Sequence, residues 1–114
     1  MKHIAVVVLV LMLAAGLSVA AVENKGPEQI ILNSGGERGG VHFPHHRHQN
    51  KLGDCNICHT LFPQKKDAID LLKKEGKLVP KQIMNKLCIK CHKAEKQAGH
   101  TAGPVTCSKC HQKG

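Results

Sequence analysis

The hydrophobic positions form one dense block at the N-terminus and short, scattered clusters after it. Ile4–Leu17 is apolar almost throughout, with the basic Met1-Lys2-His3 before it and the small residues Ser18-Val19-Ala20-Ala21 after it. This order predicts a secretory signal peptide over residues 1–21, because the run is short for a spanning helix and ends in a cleavage-like site. In the remaining chain, 22–114, Ile30-Ile31-Leu32 and Val41–Phe43 flank the turn-forming Asn33-Ser34-Gly35-Gly36 and Gly39-Gly40, which predicts a short two-stranded hairpin. Two such strands are only marginally stable unless their apolar face has something to rest on. Pro44 suits the start of a helical turn, which places His45 and His48 one turn apart on different bearings. Farther along, Lys66–Lys77 sets Ala68, Ile69, Leu71 and Leu72 on one side of a lysine-rich helix that ends at Gly76. Pro80–Leu87 repeats the pattern with Ile83, Met84 and Leu87, and the segment from Lys93 to Thr106 passes through a loop at Gly99-His100-Thr101-Ala102-Gly103-Pro104.

These clusters are too sparse to make a core. Leader removal leaves about 93 residues with two phenylalanines, Phe43 and Phe62, and no tryptophan or tyrosine. A domain of that size and composition needs a staple or an apolar guest to fold.

The cysteines supply the means. All six fall in three copies of C-x-x-C-H: Cys55-Asn56-Ile57-Cys58-His59, Cys88-Ile89-Lys90-Cys91-His92 and Cys107-Ser108-Lys109-Cys110-His111. In a c-type haem site the two thiols add across the porphyrin vinyl groups and the following histidine supplies an axial nitrogen. A histidine after every second cysteine would arise by chance about once in 2,000 trials at this chain's histidine frequency. Zinc sites of two cysteines and two histidines would use the same residue types, and disulfides between cysteines three apart would close loops too short to constrain the unfolded chain. Three covalent haems are therefore expected, forming most of the core of a small, mostly α fold with little regular secondary structure. The polypeptide without them is expected to be largely unfolded.

Three six-coordinate irons need three more ligands beyond His59, His92 and His111. His45 and His48 are chosen on geometry; His42, His46, His100 and Met84 are the other residues available. His42 and His46 are read as solvent-facing imidazoles or hydrogen-bond donors to a haem propionate. Charge adds one further expectation. Lys2 leaves with the leader and takes the net charge from +9 to +8, so the exported protein is basic and suits partners with acidic surfaces. Nucleic acid is not expected as a partner, since the aromatics that would stack on bases are absent and the lysines are spread along the chain.

The stretch V-x-F-P-H-x-x-H-Q, followed after four residues by D-C-x-x-C-H, resembles the triheme class III cytochromes of the cytochrome c7 family, relatives of the tetraheme cytochromes of sulfate reducers. The likeness runs from Ile30 to the C-terminus and includes Gly103-Pro104 before the last motif. It implies that His45 pairs with His59 and His48 with His92. The family usually has a histidine four residues before the middle motif; this chain has Met84 there, which implies a His111–Met84 haem with His100 as the rival ligand. With the signal peptide and three fully ligated haems, the expectation is a periplasmic, monomeric electron carrier. Its expected partners are other redox proteins, including inner- or outer-membrane cytochromes, with soluble metal or sulfur species as further acceptors. No catalytic residues are expected. The alternative function is a periplasmic multihaem reductase of a metal ion, sulfur species or small oxyanion, which would need one open haem site.

Overall fold

The computed structural model describes residues 25–32 and 36–113, so the leader expected over residues 1–21 lies outside the described residues. Strand β1 (Gln29–Leu32) pairs antiparallel with β2 (Gly40–Pro44), in a register that sets Ile30 opposite Phe43 and Leu32 opposite Val41. Those four side chains are half-buried on one face, whereas Ile31 and His42, opposite each other, are exposed on the other face. The hairpin is the one that the two apolar clusters and the glycine-rich turn predicted, and its side chains alternate between the two faces.

The hairpin has a third strand that the apolar pattern did not indicate. β3 (His111–Gln112) pairs antiparallel with β2, so that Val41 faces His111 and the order is β1-β2-β3. A two-residue polar strand carries no hydrophobic signal of its own. Its register comes from Gly39, where the chain must take φ +88° beside the opposing strand and where a side chain would collide with the Gln112 carbonyl. Gly39→Ala is therefore expected to lower stability by about 1–3 kcal/mol, read from the midpoint of chemical unfolding of the holoprotein.

Five short helices follow: α1 (His45–Leu52), α2 (Asn56–His59), α3 (Ala68–Lys74), α4 (Ile89–Gln97) and α5 (Cys107–Cys110). Pro44 caps α1 with φ −80° and ψ 83°, outside the helical region. α3 occupies the interior of the stretch Lys66–Lys77, and the chain turns out of it through Gly76. Pro80–Leu87 departs from a regular helix, because residues Met84–Cys88 form a widened, π-type turn that runs directly into α4. α4 then continues to Gln97, and the loop expected at Gly99–Pro104 follows it. Among the described residues no helix is long and apolar enough to cross a membrane.

Packing is where this chain departs from an ordinary domain. Among the described residues the buried apolar side chains are Ala68 and Leu78 alone, both in the segment between the first two cysteine motifs. The inner face of the sheet and the helices bearing the motifs are only half-covered by protein. The polypeptide thus lacks the core that its length requires.

Candidate haem-binding site

Each cysteine motif is shaped by a helical turn. In the first, the amides of Cys58 and His59 both bond to the Cys55 carbonyl, at 3.3 and 3.0 Å. Residues i, i+3 and i+4 share a helix face, so Cys55, Cys58 and His59 are presented together. The Asp54 carboxylate accepts the Asn56 amide at 2.9 Å and fixes the start of that turn. The second motif spans the junction of the widened turn and α4. The third differs: Cys107 and Cys110 are helical, but His111 is extended, at φ −92° and ψ 123°, and belongs to β3.

None of the six cysteines is paired in a disulfide. Burial pushes the Cys58 thiol up, with Cys91 adding to the effect; burial also raises Cys88, reinforced chiefly by Cys58 and further by Cys110 and Cys91. Burial raises Cys110 too, with Cys107 adding and Lys96 opposing.

The imidazoles carry the clearest information. His59 Nδ1–H donates to the Phe62 carbonyl at 3.2 Å, His92 to Pro104 at 2.7 Å and His111 to Gly39 at 3.0 Å. His45 Nδ1–H donates to Pro27 at 2.9 Å and His48 to Pro44 at 3.0 Å. A carbonyl can only accept, so the neutral ring in each of these five cases carries its proton on Nδ1 and leaves the Nε2 lone pair available. Metal-ligating histidines are held in this way, their other ring nitrogen donating to a carbonyl or carboxylate. His46 has the opposite tautomer, with Nε2–H donating to the Gly26 carbonyl at 2.9 Å, so its role is to hold backbone. His42 is exposed on the outer face of β2.

Two of the rings meet two others across the fold. His45 and His59 have centroids 6.3 Å apart, and His48 and His92 have centroids 6.1 Å apart. A metal bound between two imidazoles at about 2 Å per nitrogen separates the ring centroids by roughly 6 Å. Phe43 lies 4.4 Å from His48 and Phe62 lies 5.1 Å from His59, so the two phenylalanines wall these pairs.

Residues that the sequence did not single out hold this arrangement. Four successive carbonyls of residues 25–28 accept hydrogen bonds from α1: Lys25 from Gln49 Nε2 at 2.7 Å, Gly26 from His46, Pro27 from His45, and Glu28 from the His46 amide at 3.2 Å. The segment straps down the helix bearing His45 and His48. Backbone acceptors leave no trace in side-chain pattern; the one local signal was the proline four residues before His48, whose carbonyl a helix aims along its own axis.

The remaining candidate ligands are not brought together in the same way. His111 lines a cavity of about 460 Å³ with Glu37, Arg38, Cys107, Ser108 and Lys113. His100 is 60% exposed, and its Nδ1 lies 2.9 Å from the Glu95 carboxylate. Among the described residues, His100 makes no ring contact with His111. Met84 is half-buried at the start of the widened turn.

Comparison with known proteins bears on the same residues. The family described as cytochrome c7 and related cytochrome c matches residues 41–112, which contain all three motifs and the His45–His48 pair. The chain belongs to the cytochrome c7 family. A cytochrome c7 of Geobacter metallireducens is 31% identical over 113 residues, covering 99% of this chain and 100% of that protein. The solution structure of the triheme cytochrome PpcA from Geobacter sulfurreducens superposes with a TM-score of 0.53 at 30% identity, over 76% of this chain and 100% of PpcA. A second structure from the triheme cytochrome family of Geobacter sulfurreducens gives 0.52 at 31% identity with the same coverage. Triheme cytochromes c7 are electron-transfer proteins with three covalently bound c-type haems, and that cofactor set is the one these cysteines and imidazoles fit. Among the described residues no three His, Cys, Asp or Glu side chains converge as a tetrahedral zinc site requires.

Proposed function

We propose that this cytochrome c7 is an exported, periplasmic electron carrier that works by outer-sphere transfer through a closely spaced group of three haems. The observation that carries the reading is the pair of cross-fold imidazole contacts, His45–His59 and His48–His92, with every Nδ1 tied to a carbonyl. When bound, the haems supply three one-electron ferric/ferrous couples. The protein's part is to hold Cys55 and Cys58, Cys88 and Cys91, and Cys107 and Cys110 for thioether attachment, and to keep two imidazoles on each of the first two irons. An iron with two fixed ligands exposes no position to a substrate, which favours carriage over catalysis.

For the third haem, with His111 proximal, Met84 is the proposed second ligand. It stands four residues before Cys88, in a widened turn of a kind that recurs at functional sites, whereas His100 is drawn out onto Glu95 at the surface. A thioether ligand favours ferrous iron and would give this haem the highest potential of the three. Exposed lysines around α3, including Lys65, Lys66, Lys74 and Lys77, suit docking of an acidic redox protein, such as an inner- or outer-membrane cytochrome; soluble metal or sulfur species would be further acceptors.

The test is the near-infrared and paramagnetic-resonance spectrum of the oxidised holoprotein. A methionine-to-ferric-haem band that is lost in Met84→Ala and kept in His100→Ala is expected. An all-histidine, low-spin spectrum without that band would move the ligand to His100. A high-spin haem in the unmodified protein that binds nitrite or cyanide would favour the reductase instead.

A further inference from the structure

Two of the described glycines have no room for a Cβ, and they differ in kind. Gly39 combines a tight contact with φ +88°, so either constraint alone would select glycine there. At Gly53, Gly76 and Gly99 the backbone has positive φ and a Cβ would meet open space. Gly103 is the converse. Its φ lies outside the positive region, so the backbone angle does not itself call for glycine, yet a Cβ there would lie 2.9 Å from Nδ1 and 2.8 Å from Nε2 of His92, and against Cε1 between them. Glycine at 103 is required by the ring lying against it.

The next residue holds the same ring from another side. Pro104 lacks an amide proton, but its carbonyl accepts His92 Nδ1–H at 2.7 Å, the shortest of the five imidazole–carbonyl bonds. Cys110 Sγ approaches that same oxygen at 3.8 Å. The segment 103–104 is thus pinned between the proximal histidine of the second motif and a cysteine of the third, and it begins three residues after His100 in a loop that otherwise has no regular structure.

We propose that Gly103 and Pro104 are positioning residues for His92. Gly103 sets the rotation of the imidazole by offering it a flat, side-chain-free surface, and the Pro104 carbonyl sets its basicity through the Nδ1–H bond. A strongly accepting carbonyl on the distal nitrogen of a metal-bound imidazole raises the ligand's donor strength. Ring rotation and donor strength fix the spectrum and potential of the iron that His92 serves. This inference rests on His92 being the proximal ligand of the second haem.

The experiment uses the fully haem-loaded protein, reduced so that low-spin iron is diamagnetic, with labelled histidine for nuclear magnetic resonance. Strong ring-current shifts of the His92 ring protons would show that His92 is a ligand, independently of what surrounds it. Given those shifts, the proposal expects a cross-relaxation peak between His92 Hε1 and Gly103 Hα and a slowly exchanging His92 Nδ1–H. If the shifts are present but both the peak and the slow proton are missing, the positioning role is overturned and the ligand assignment stands. If the shifts themselves are missing, the ligand assignment fails. In oxidised Gly103→Ala, the paramagnetic-resonance signal and potential of the second haem alone should move, the potential upward as the Nδ1–H bond lengthens; Gly53→Ala should leave all three haems unchanged. A Gly103→Ala protein with three unaltered haem signals would overturn the proposal, and should that variant fail to mature, the measurements on the unsubstituted protein decide it.

Discussion

Replacing all six cysteines by alanine is expected to yield a chain with no cooperative unfolding transition. Among the described residues only the apolar side chains of Ala68 and Leu78 are buried. Complete burial of one leucine stabilises a fold by about 1.5–3 kcal/mol, far below the conformational entropy lost on ordering a domain of this length. The three-stranded sheet cannot compensate, since its inner residues Ile30, Leu32, Val41 and Phe43 are only half-covered by protein. Far-ultraviolet circular dichroism through a urea titration would show a shallow, non-sigmoidal change in the cysteine-free chain and a sharp transition in the holoprotein. Removing one motif, as in Cys107→Ala with Cys110→Ala, should have an intermediate effect concentrated on β3, because His111 ties that strand to Gly39.

His48→Ala is expected to convert one haem in three from low-spin to high-spin and to create a site that binds cyanide. The His48 ring stands 6.1 Å from that of His92 and has its Nδ1 committed to Pro44, so its Nε2 is the group whose loss would open the coordination sphere. Phe43, at 4.4 Å, cannot substitute as a ligand and would keep the hole apolar. His46→Ala supplies the contrast within the same helix. Its Nε2 is engaged with the Gly26 carbonyl, so its loss should loosen the strap over α1 while all three haems stay low-spin. Paramagnetic resonance of the two oxidised variants, with and without cyanide, separates the roles; equal spectra would contradict the ligand assignment.

Much of this could be read along the chain, and the rest could not, for identifiable reasons. The three motifs declare covalent attachment because thioether chemistry fixes the residues and their spacing in sequence. The hairpin was legible through its two apolar clusters and the glycine-rich turn between them, and α1 through Pro44 and the spacing of His45 and His48. β3 was not, because its partner is contributed by a residue 70 positions away and its own residues, His111 and Gln112, are polar. The strap 25–28 was equally silent, since it acts through carbonyls. The widened turn at Met84–Cys88 breaks a helical periodicity that the side chains alone display as regular. Gly103 and Gly39 look alike in sequence, and only the backbone angle and the neighbouring atoms distinguish one that makes room for an imidazole from one that admits a strand.

A coulometric redox titration of the exported holoprotein, followed by visible and paramagnetic-resonance spectra at each step, tests the central claim most directly. The account predicts three electrons per chain, all from low-spin haems, two at low potential and one higher, with no change on adding nitrite or cyanide. Fewer than three electrons, or a high-spin haem that takes up the added ligand, would contradict it.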